Sequence, residues 1–179
     1  MRDYDIAGIS PGPCDQFPPF MDALAGSYLY QDVTDMKSYH YPENFMDALQ
    51  IMKQALSGET EDQMFYMWLI SRAPSEEERQ IIASIRDEEI GHIELFRQIY
   101  FDLTGTALPQ IDEELFVEPD SYCDGLARAL LSEQNAVQKH RKILYAMQSR
   151  IHINMMIDII TDEIRHGMLY NYLYTKNGC

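Results

Sequence analysis

The stretch Arg-Asp-Glu-Glu-Ile-Gly-His at residues 86–92 lies in a segment whose apolar positions recur every three or four residues. That spacing predicts an amphipathic helix with one buried face, as in a helical bundle. Glu89 and His92 fall on the same face as the apolar residues. Because a buried carboxylate and a buried imidazole need polar partners, the stretch raises the question of what these two side chains face.

The same polar interruption recurs 74 residues later. In the stretch Thr-Asp-Glu-Ile-Arg-His at residues 161–166, Glu163 and His166 occupy the positions that correspond to Glu89 and His92. The apolar positions on either side repeat at the same offset. The chain is therefore predicted to contain two helical halves, each with a Glu-x-x-His pair on an inward face.

A further glutamate precedes each pair by 30 residues: Glu59 precedes Glu89, and Glu133 precedes Glu163. In an antiparallel helix hairpin with its turn near the midpoint, this separation places the two carboxylates at the same height. Four glutamates and two histidines are therefore expected in one layer of the interior.

Turn signals divide the chain into four long predicted helices, at about 43–72, 75–103, 120–147 and 150–176. Pro74 and the Ser-Glu-Glu-Glu run at 75–78 indicate a short turn and a capping-box start. A connection rich in glycine and proline spans 104–119. Two short turns and one long connection predict an all-α fold, an antiparallel four-helix bundle with one long crossover between helix hairpins at about 44–103 and 120–176.

Residues 1–43 differ from residues 44–179, which form the predicted bundle domain. Five prolines prevent any long helix in this first segment. The apolar sequence Phe-Met-Asp-Ala-Leu occurs at 20–24 and again at 45–49. We interpret residues 1–43 as an N-terminal arm that packs on the bundle or on a neighbouring chain.

The composition excludes several classes of protein. The formal net charge of −15 disfavours binding to nucleic acid and to anionic membranes. No apolar run approaches the roughly 18 residues of a membrane span, and the N-terminus does not resemble a signal peptide. The three cysteines form no C-x-x-C pair, which excludes a thiolate zinc site, and their sparse, odd count is typical of a reducing compartment. We therefore expect a cytoplasmic protein without a membrane or nucleic-acid partner.

Four carboxylates in an apolar interior need compensating charge. Each ionised group is costly to bury unless it is paired, and the inward faces hold too few basic residues to pair them. Two divalent cations would balance four carboxylates, with neutral imidazoles completing their coordination. The predicted metal ligands are Glu59, Glu89, His92, Glu133, Glu163 and His166. The alternative is a metal-free polar layer in which every hydrogen bond is satisfied.

These residues resemble the ferritin-like di-iron superfamily, and most closely the four-helix domain of rubrerythrins. Gly58-Glu59-Thr60 is similar to the Gly-Glu-Ser at the first-helix ligand of that family. Asp162-Glu163-Ile164-Arg165-His166 is similar to the Asp-Glu-x-Arg-His form found in di-iron oxygenases and reductases. The resemblance covers about residues 44–176 and implies two iron ions, although the same ligands also suit manganese or a mixed iron–manganese pair.

The resemblance also implies a role for each ligand. Glu59 and Glu133 would be terminal or bridging ligands, Glu89 and Glu163 would bridge or chelate, and each of the two histidines would bind one metal ion. Asp162 falls at the position where an acid orients a ligand histidine.

Other side chains are expected beside the ligands or away from them. Tyr66 either hydrogen-bonds a ligand carboxylate or fills the core. His140 occupies the corresponding position in the second half and is interpreted as a neighbour of the ligands rather than as a ligand. Asp62 is either an extra carboxylate ligand or a solvated acid. His40 and His152 are expected at the surface.

The resemblance implies an oxidoreductase of peroxidase or ferroxidase type, in which a di-metal centre reacts with peroxide or dioxygen. Rubrerythrins carry an extra glutamate three residues after the third-helix ligand, but this chain has Ala136 there. Because the chain has no rubredoxin-type cysteine pairs, an external electron donor protein is expected. The expected assembly is a homodimer or a small homo-oligomer.

Two other functions are compatible with the same residues. One is iron binding and storage by a ferritin-like shell, which the mass of the particle would reveal. The other is a structural bundle in which the metal is only a staple. Open coordination positions and a reaction with peroxide would distinguish an oxidoreductase from such a structural site.

Overall fold

The computed structural model describes residues 36–55, 59–108 and 116–179, without the side chains of residues 59–61. Every regular element in these ranges is a helix, so the prediction of an all-α chain is confirmed. A short 3-10 helix, Met36–Tyr39, is followed by five α-helices: α1 Phe45–Ala55, α2 Glu59–Arg72, α3 Glu76–Thr104, α4 Tyr122–Tyr145 and α5 Arg150–Lys176.

Local sequence signals set the limits of the helices. Ser75 caps α3, since its hydroxyl oxygen accepts a hydrogen bond from the backbone N–H of Glu78 at 3.3 Å and donates one to the Glu78 carboxylate at 3.0 Å. Gly105 ends α3 with a φ of 69°, a left-handed conformation that favours glycine. Ser121 caps α4 by accepting from the backbone N–H of Asp124 at 3.1 Å. The capping-box start predicted at residue 75 is confirmed.

Three of the predicted helices correspond to α3, α4 and α5, with limits that agree within two residues. The first predicted helix is described as two segments, α1 and α2. Residues 56–58 between them lie outside the described part of the chain, as do residues 109–115 in the connection from α3 to α4.

The described helices belong to one compact unit, Lys37–Cys179. Helix α4 packs most extensively on α5, α3 packs on α2 and α5, and α1 packs on α4 and α3. Most of the predicted arm lies outside the described residues. In the part that is described, the ring of Tyr39 lies 4.7 Å from the ring of Tyr145 on α4.

Two apolar clusters fill the interior. The first includes Met52, Phe96, Ile99, Ile143, Met156 and Ile159. The second includes Leu69, Ile82, Ile85, Leu126, Tyr170 and Leu173. Along both α3 and α5, the Glu-x-x-His pair lies between residues of the first cluster and residues of the second. The polar side chains therefore form a layer between two apolar cores.

Two features of the packing differ from expectation: the burial of His152 and the pairing of Cys123 with Cys179. His152 was expected at the surface, but it is buried, and its Nε2 lies 3.0 Å from Oδ2 of Asp102 at the end of α3. Cys123 and Cys179 form a disulfide that joins the first turn of α4 to a position three residues beyond the end of α5, although they are 56 residues apart in sequence. The cysteine count did not predict this pairing, because only the packing of α4 on α5 brings the two residues together.

Candidate metal centre

Four of the predicted ligands converge between α3, α4 and α5. Glu89, Glu133, Glu163 and His166 each offer one ligand atom, and these atoms all lie within 4.8 Å of one another. Glu133, Glu163 and His166 are buried, and Glu89 is half-buried. Atoms this close together can share one cation or two neighbouring cations.

The two histidines of the Glu-x-x-His pairs turn the same ring nitrogen toward these carboxylates. Nδ1 of His92 lies 3.5 Å from Oε2 of Glu89 and 3.5 Å from Oε1 of Glu163. Nδ1 of His166 lies 2.9 Å from Oε1 of Glu89 and 3.8 Å from Oε2 of Glu133. Each imidazole therefore contacts carboxylates of both halves of the repeat.

The converging atoms fit a cation, because several of them are buried without a hydrogen bond. Nδ1 of His92, Nδ1 of His166 and Oε1 of Glu89 have no hydrogen-bond partner among the described residues. Nδ1 of His166 and Oε1 of Glu89 are 2.9 Å apart and attract each other by charge, whereas Nδ1 of His92 has carboxylate oxygens only at 3.5 Å. A cation among them would be a partner for all three atoms. Carboxylate oxygens and neutral imidazole nitrogens are suitable ligands for divalent iron and manganese.

The outer nitrogen of each histidine is held by an acid from the opposite half. Nε2 of His92 lies 3.2 Å from Oδ2 of Asp162, and Nε2 of His166 lies 2.6 Å from Oε2 of Glu88. Such a contact fixes the ring orientation and leaves Nδ1 free to bind a metal. The expected contact of Asp162 with a candidate ligand histidine is present, and Glu88, its counterpart 74 residues earlier, does the same on the other side.

Arg165 links these two acids. Its Nη2 donates a hydrogen bond to Oδ1 of Asp162 at 2.9 Å and another to Oε2 of Glu88. Burial alone would raise the pKa of both acids. The guanidinium nevertheless holds the pKa of Asp162 below its usual range, and His166 and Arg165 together hold the pKa of Glu88 below its usual range. The 74-residue repeat makes Glu88 the counterpart of Asp162, whereas no pattern in the sequence indicated a role for Arg165.

Without metal, protons balance the charge of the site. Burial, a hydrogen bond with Glu163 and the charge of Glu89 raise the pKa of Glu133 to about 12. Burial disfavours the charged forms of Glu89 and His92. Hydrogen bonding and charge from His166 and His92 nevertheless favour the carboxylate of Glu89, and those from Glu163 and Glu89 favour the imidazolium of His92. The pKa of Glu89 falls to about 2, and that of His92 rises to about 10. A metal ion would have to displace these protons.

His140 and two tyrosines complete the surroundings. Nδ1 of His140 lies 3.5 Å from Oε1 of Glu163, and burial lowers the pKa of this histidine, which keeps it neutral. Burial and nearby carboxylates raise the pKa of Tyr66 and of Tyr170 well above the ordinary value. The hydroxyl of Tyr170 is buried and has no partner among the described residues, a feature that the sequence pattern of a core aromatic did not reveal.

Glu59 and Asp62 are the two remaining candidate ligands. The side chain of Glu59 lies outside the described residues, so its assignment as a ligand stays a prediction. Asp62 is exposed and lies at the edge of a cavity of about 380 Å³, and its charge contributes to the raised pKa of Glu133. Its assignment as an extra ligand also stays a prediction.

The same cavity reaches the centre. Its described lining includes Glu89, Glu133, Glu163 and His140, together with apolar residues such as Phe96 and Ile93. A volume of about 380 Å³ is far larger than the roughly 10–15 Å³ that one water molecule needs in a cavity. The carboxylates are therefore reachable by molecules the size of peroxide or dioxygen.

Among the described residues, no helix has both the length and the apolar character that crossing a membrane requires.

No family model matches the chain, and no solved structure matches it significantly. The chain is similar to an uncharacterized protein of Bacillus subtilis (strain 168), YhjR, with 27% identity over 138 residues. That similarity covers 75% of this chain and 93% of YhjR.

Proposed function

We propose that this chain is a ferritin-like di-metal protein that reacts with peroxide or dioxygen, as rubrerythrins do. In the proposed architecture, α1 and α2 together form the first of four bundle helices, and α3, α4 and α5 form the other three. The connection between α3 and α4 would be the single long crossover. The contacts of α3 with α2 and of α4 with α5 support two helix hairpins.

One observation carries the proposal. Three glutamates and two histidines from three helices lie in one layer between two apolar cores. Nδ1 of each histidine makes no hydrogen bond to the described residues. Each histidine is also held from outside by an acid, as metal-binding histidines usually are. A cation would be a partner for the inner atoms that make no hydrogen bond.

The proposed cofactor is a pair of divalent ions, iron in the first instance, with manganese or a mixed pair as alternatives. When bound, such a pair polarises and reduces the O–O bond of an oxidant. The residues would hold the ions in place, with Glu89 and Glu163 beside both histidines. Glu133 would lose its proton when metal binds.

The cavity beside the carboxylates favours an oxidoreductase over a structural staple, because a structural metal site is normally closed. The apolar wall near Phe96 and Ile93 would limit the access of water. Electrons would come from a separate donor protein. We propose a homodimer or small homo-oligomer as the assembly and the cytoplasm as its location.

The test is anaerobic loading with Fe²⁺, followed by stopped-flow mixing with hydrogen peroxide and with dioxygen separately. We expect two ions per chain and faster oxidation by peroxide than by dioxygen. Glu163→Ala should reduce the bound iron to one ion or fewer and abolish the reaction, because a neutral water molecule cannot replace the negative charge of the removed carboxylate. Glu76→Ala removes an exposed glutamate of α3 and serves as the matched control.

Three outcomes would contradict the proposal in different ways. Absence of bound metal would exclude a di-metal protein. Bound metal that reacts with neither oxidant would indicate a structural site. Preferential reaction with dioxygen and accumulation of ferric mineral would indicate iron storage.

A further inference from the structure

We infer that His140 is a third histidine ligand, so that one of the two proposed metal positions carries two imidazoles and the other carries one. The inference rests on the proposed di-metal centre and goes beyond the six predicted ligands, among which His140 was not counted. It assigns a ligand to this chain from its own geometry.

The ring of His140 is placed relative to Glu163 in the same way as the ring of His92, one of the six predicted ligands. Nδ1 of His140 and Nδ1 of His92 each lie 3.5 Å from the same atom, Oε1 of Glu163. Two donors on one metal ion, each about 2.1 Å from it, are separated by about 3 to 4 Å at ordinary coordination angles. An ion bound to Oε1 of Glu163 would therefore lie within reach of both histidines.

The ring nitrogen of His140 also lacks another partner. The residue is 7% exposed, and its Nδ1 has no hydrogen bond to the described part of the protein. Its ring is fixed against Phe96, with 5.0 Å between ring centroids, and it lines the cavity that reaches Glu163. A buried imidazole whose Nδ1 faces a carboxylate without a hydrogen bond is suited to bind a metal ion.

The two halves of the repeat differ at this position. The residue that corresponds to His140 in the first half is Tyr66, whose neutral phenol is a poor ligand. One metal position would therefore have His92, His140 and Glu163, and the other would have His166 with Glu89 and Glu133. The nitrogen-rich position should bind metals that prefer imidazole more tightly, so the two ions should enter in unequal steps.

The test uses cadmium as the probe. The full chain is labelled with ¹⁵N-histidine, loaded with ¹¹³Cd²⁺, and its cadmium NMR signals are recorded. Coupling to nitrogen splits each signal according to the number of bound imidazoles. We expect two signals, one split into a triplet by two nitrogens and one split into a doublet by one.

Variants identify the residue responsible. His140→Ala should convert the triplet into a doublet, whereas His40→Ala, which removes an exposed histidine, should leave both signals unchanged. Two doublets in the unmodified protein would overturn the assignment of His140 and leave the di-metal centre intact. Failure to bind cadmium, together with failure to bind iron or manganese, would overturn both.

Discussion

At the scale of single residues, the pairing of histidines with acids is the most informative feature of the site. His92 belongs to α3 and contacts Asp162 on α5, while His166 belongs to α5 and contacts Glu88 on α3. Each acid therefore supports the histidine of the other helix. The orientation of both imidazoles depends on α3 and α5 keeping their relative position.

Removing either acid should weaken metal binding without abolishing it. We expect Asp162→Asn and Glu88→Gln each to lower the affinity for Mn²⁺ by about 10- to 100-fold, because each releases a histidine from its fixed orientation. Competition with a metal chelator measures this change. Glu94→Gln, an exposed acid on the same helix as Glu88, should have no effect. Equal affinities in all three variants would argue against the supporting role.

At the scale of elements, most helices were predictable because their signals are local. The serine cap and glycine end of α3 are read directly from Ser75 and Gly105. The range of α5 agrees with its prediction at both ends. The packing between elements was less predictable, as the buried His152 and the Cys123–Cys179 disulfide illustrate. Both features depend on which helices become neighbours.

Two helical glycines should respond in opposite ways to alanine. A Cβ atom on Gly125 in α4 would lie 2.7 Å from Cζ3 of Trp68 and 2.8 Å from Cδ2 of Leu69, whereas one on Gly91 in α3 would meet nothing within 4 Å. We expect Gly125→Ala to lower the free energy of unfolding by about 1 to 3 kcal/mol through overpacking. Gly91→Ala should raise it by up to about 1 kcal/mol, because alanine favours a helix interior. Urea unfolding of the metal-free protein measures both, and equal effects would contradict this account of the α2–α4 contact.

At the scale of the whole molecule, the buried charges link stability to pH and to metal. The folded-state pKa values of Glu133 and His92, about 12 and about 10, are raised above their unfolded values. A group with a raised pKa stabilises the folded state fully below its unfolded pKa and loses that contribution as the pH rises toward the folded pKa. Between about pH 5.5 and 8, unfolded Glu133 has already lost its proton and unfolded His92 loses its own, whereas both groups stay protonated in the folded protein. The metal-free protein should therefore become less stable as the pH rises through this range.

We expect the melting temperature of the metal-free protein to fall across this pH range. Metal that binds only the folded state raises the melting temperature, and the increase should be larger at high pH, where protons compete less. Differential scanning calorimetry with and without chelator at several pH values measures the gap. Equal melting temperatures with and without chelator at pH 7 would exclude a metal centre. A difference in melting temperature that becomes larger as the pH falls would contradict the competition between metal and protons.

The compact unit should retain the site on its own. Every described candidate ligand lies within Lys37–Cys179, so deletion of residues 1–35 is expected to leave the helical content and the metal stoichiometry unchanged. Circular dichroism and metal analysis of the shortened chain check this expectation. Loss of metal after the deletion would show that the N-terminal segment completes the centre.

The sequence by itself determined the helices and the faces that carry the candidate ligands. Helical periodicity is a local property, so the Glu-x-x-His pairs and their 74-residue repeat could be recognised from spacing alone. Only the tertiary structure decided which side chains meet across helices. It paired His92 with Asp162 and His166 with Glu88, and it placed His140 beside Glu163. Contacts between residues distant in sequence depend on how the helices pack and rotate against one another, and no local pattern of residues specifies that arrangement.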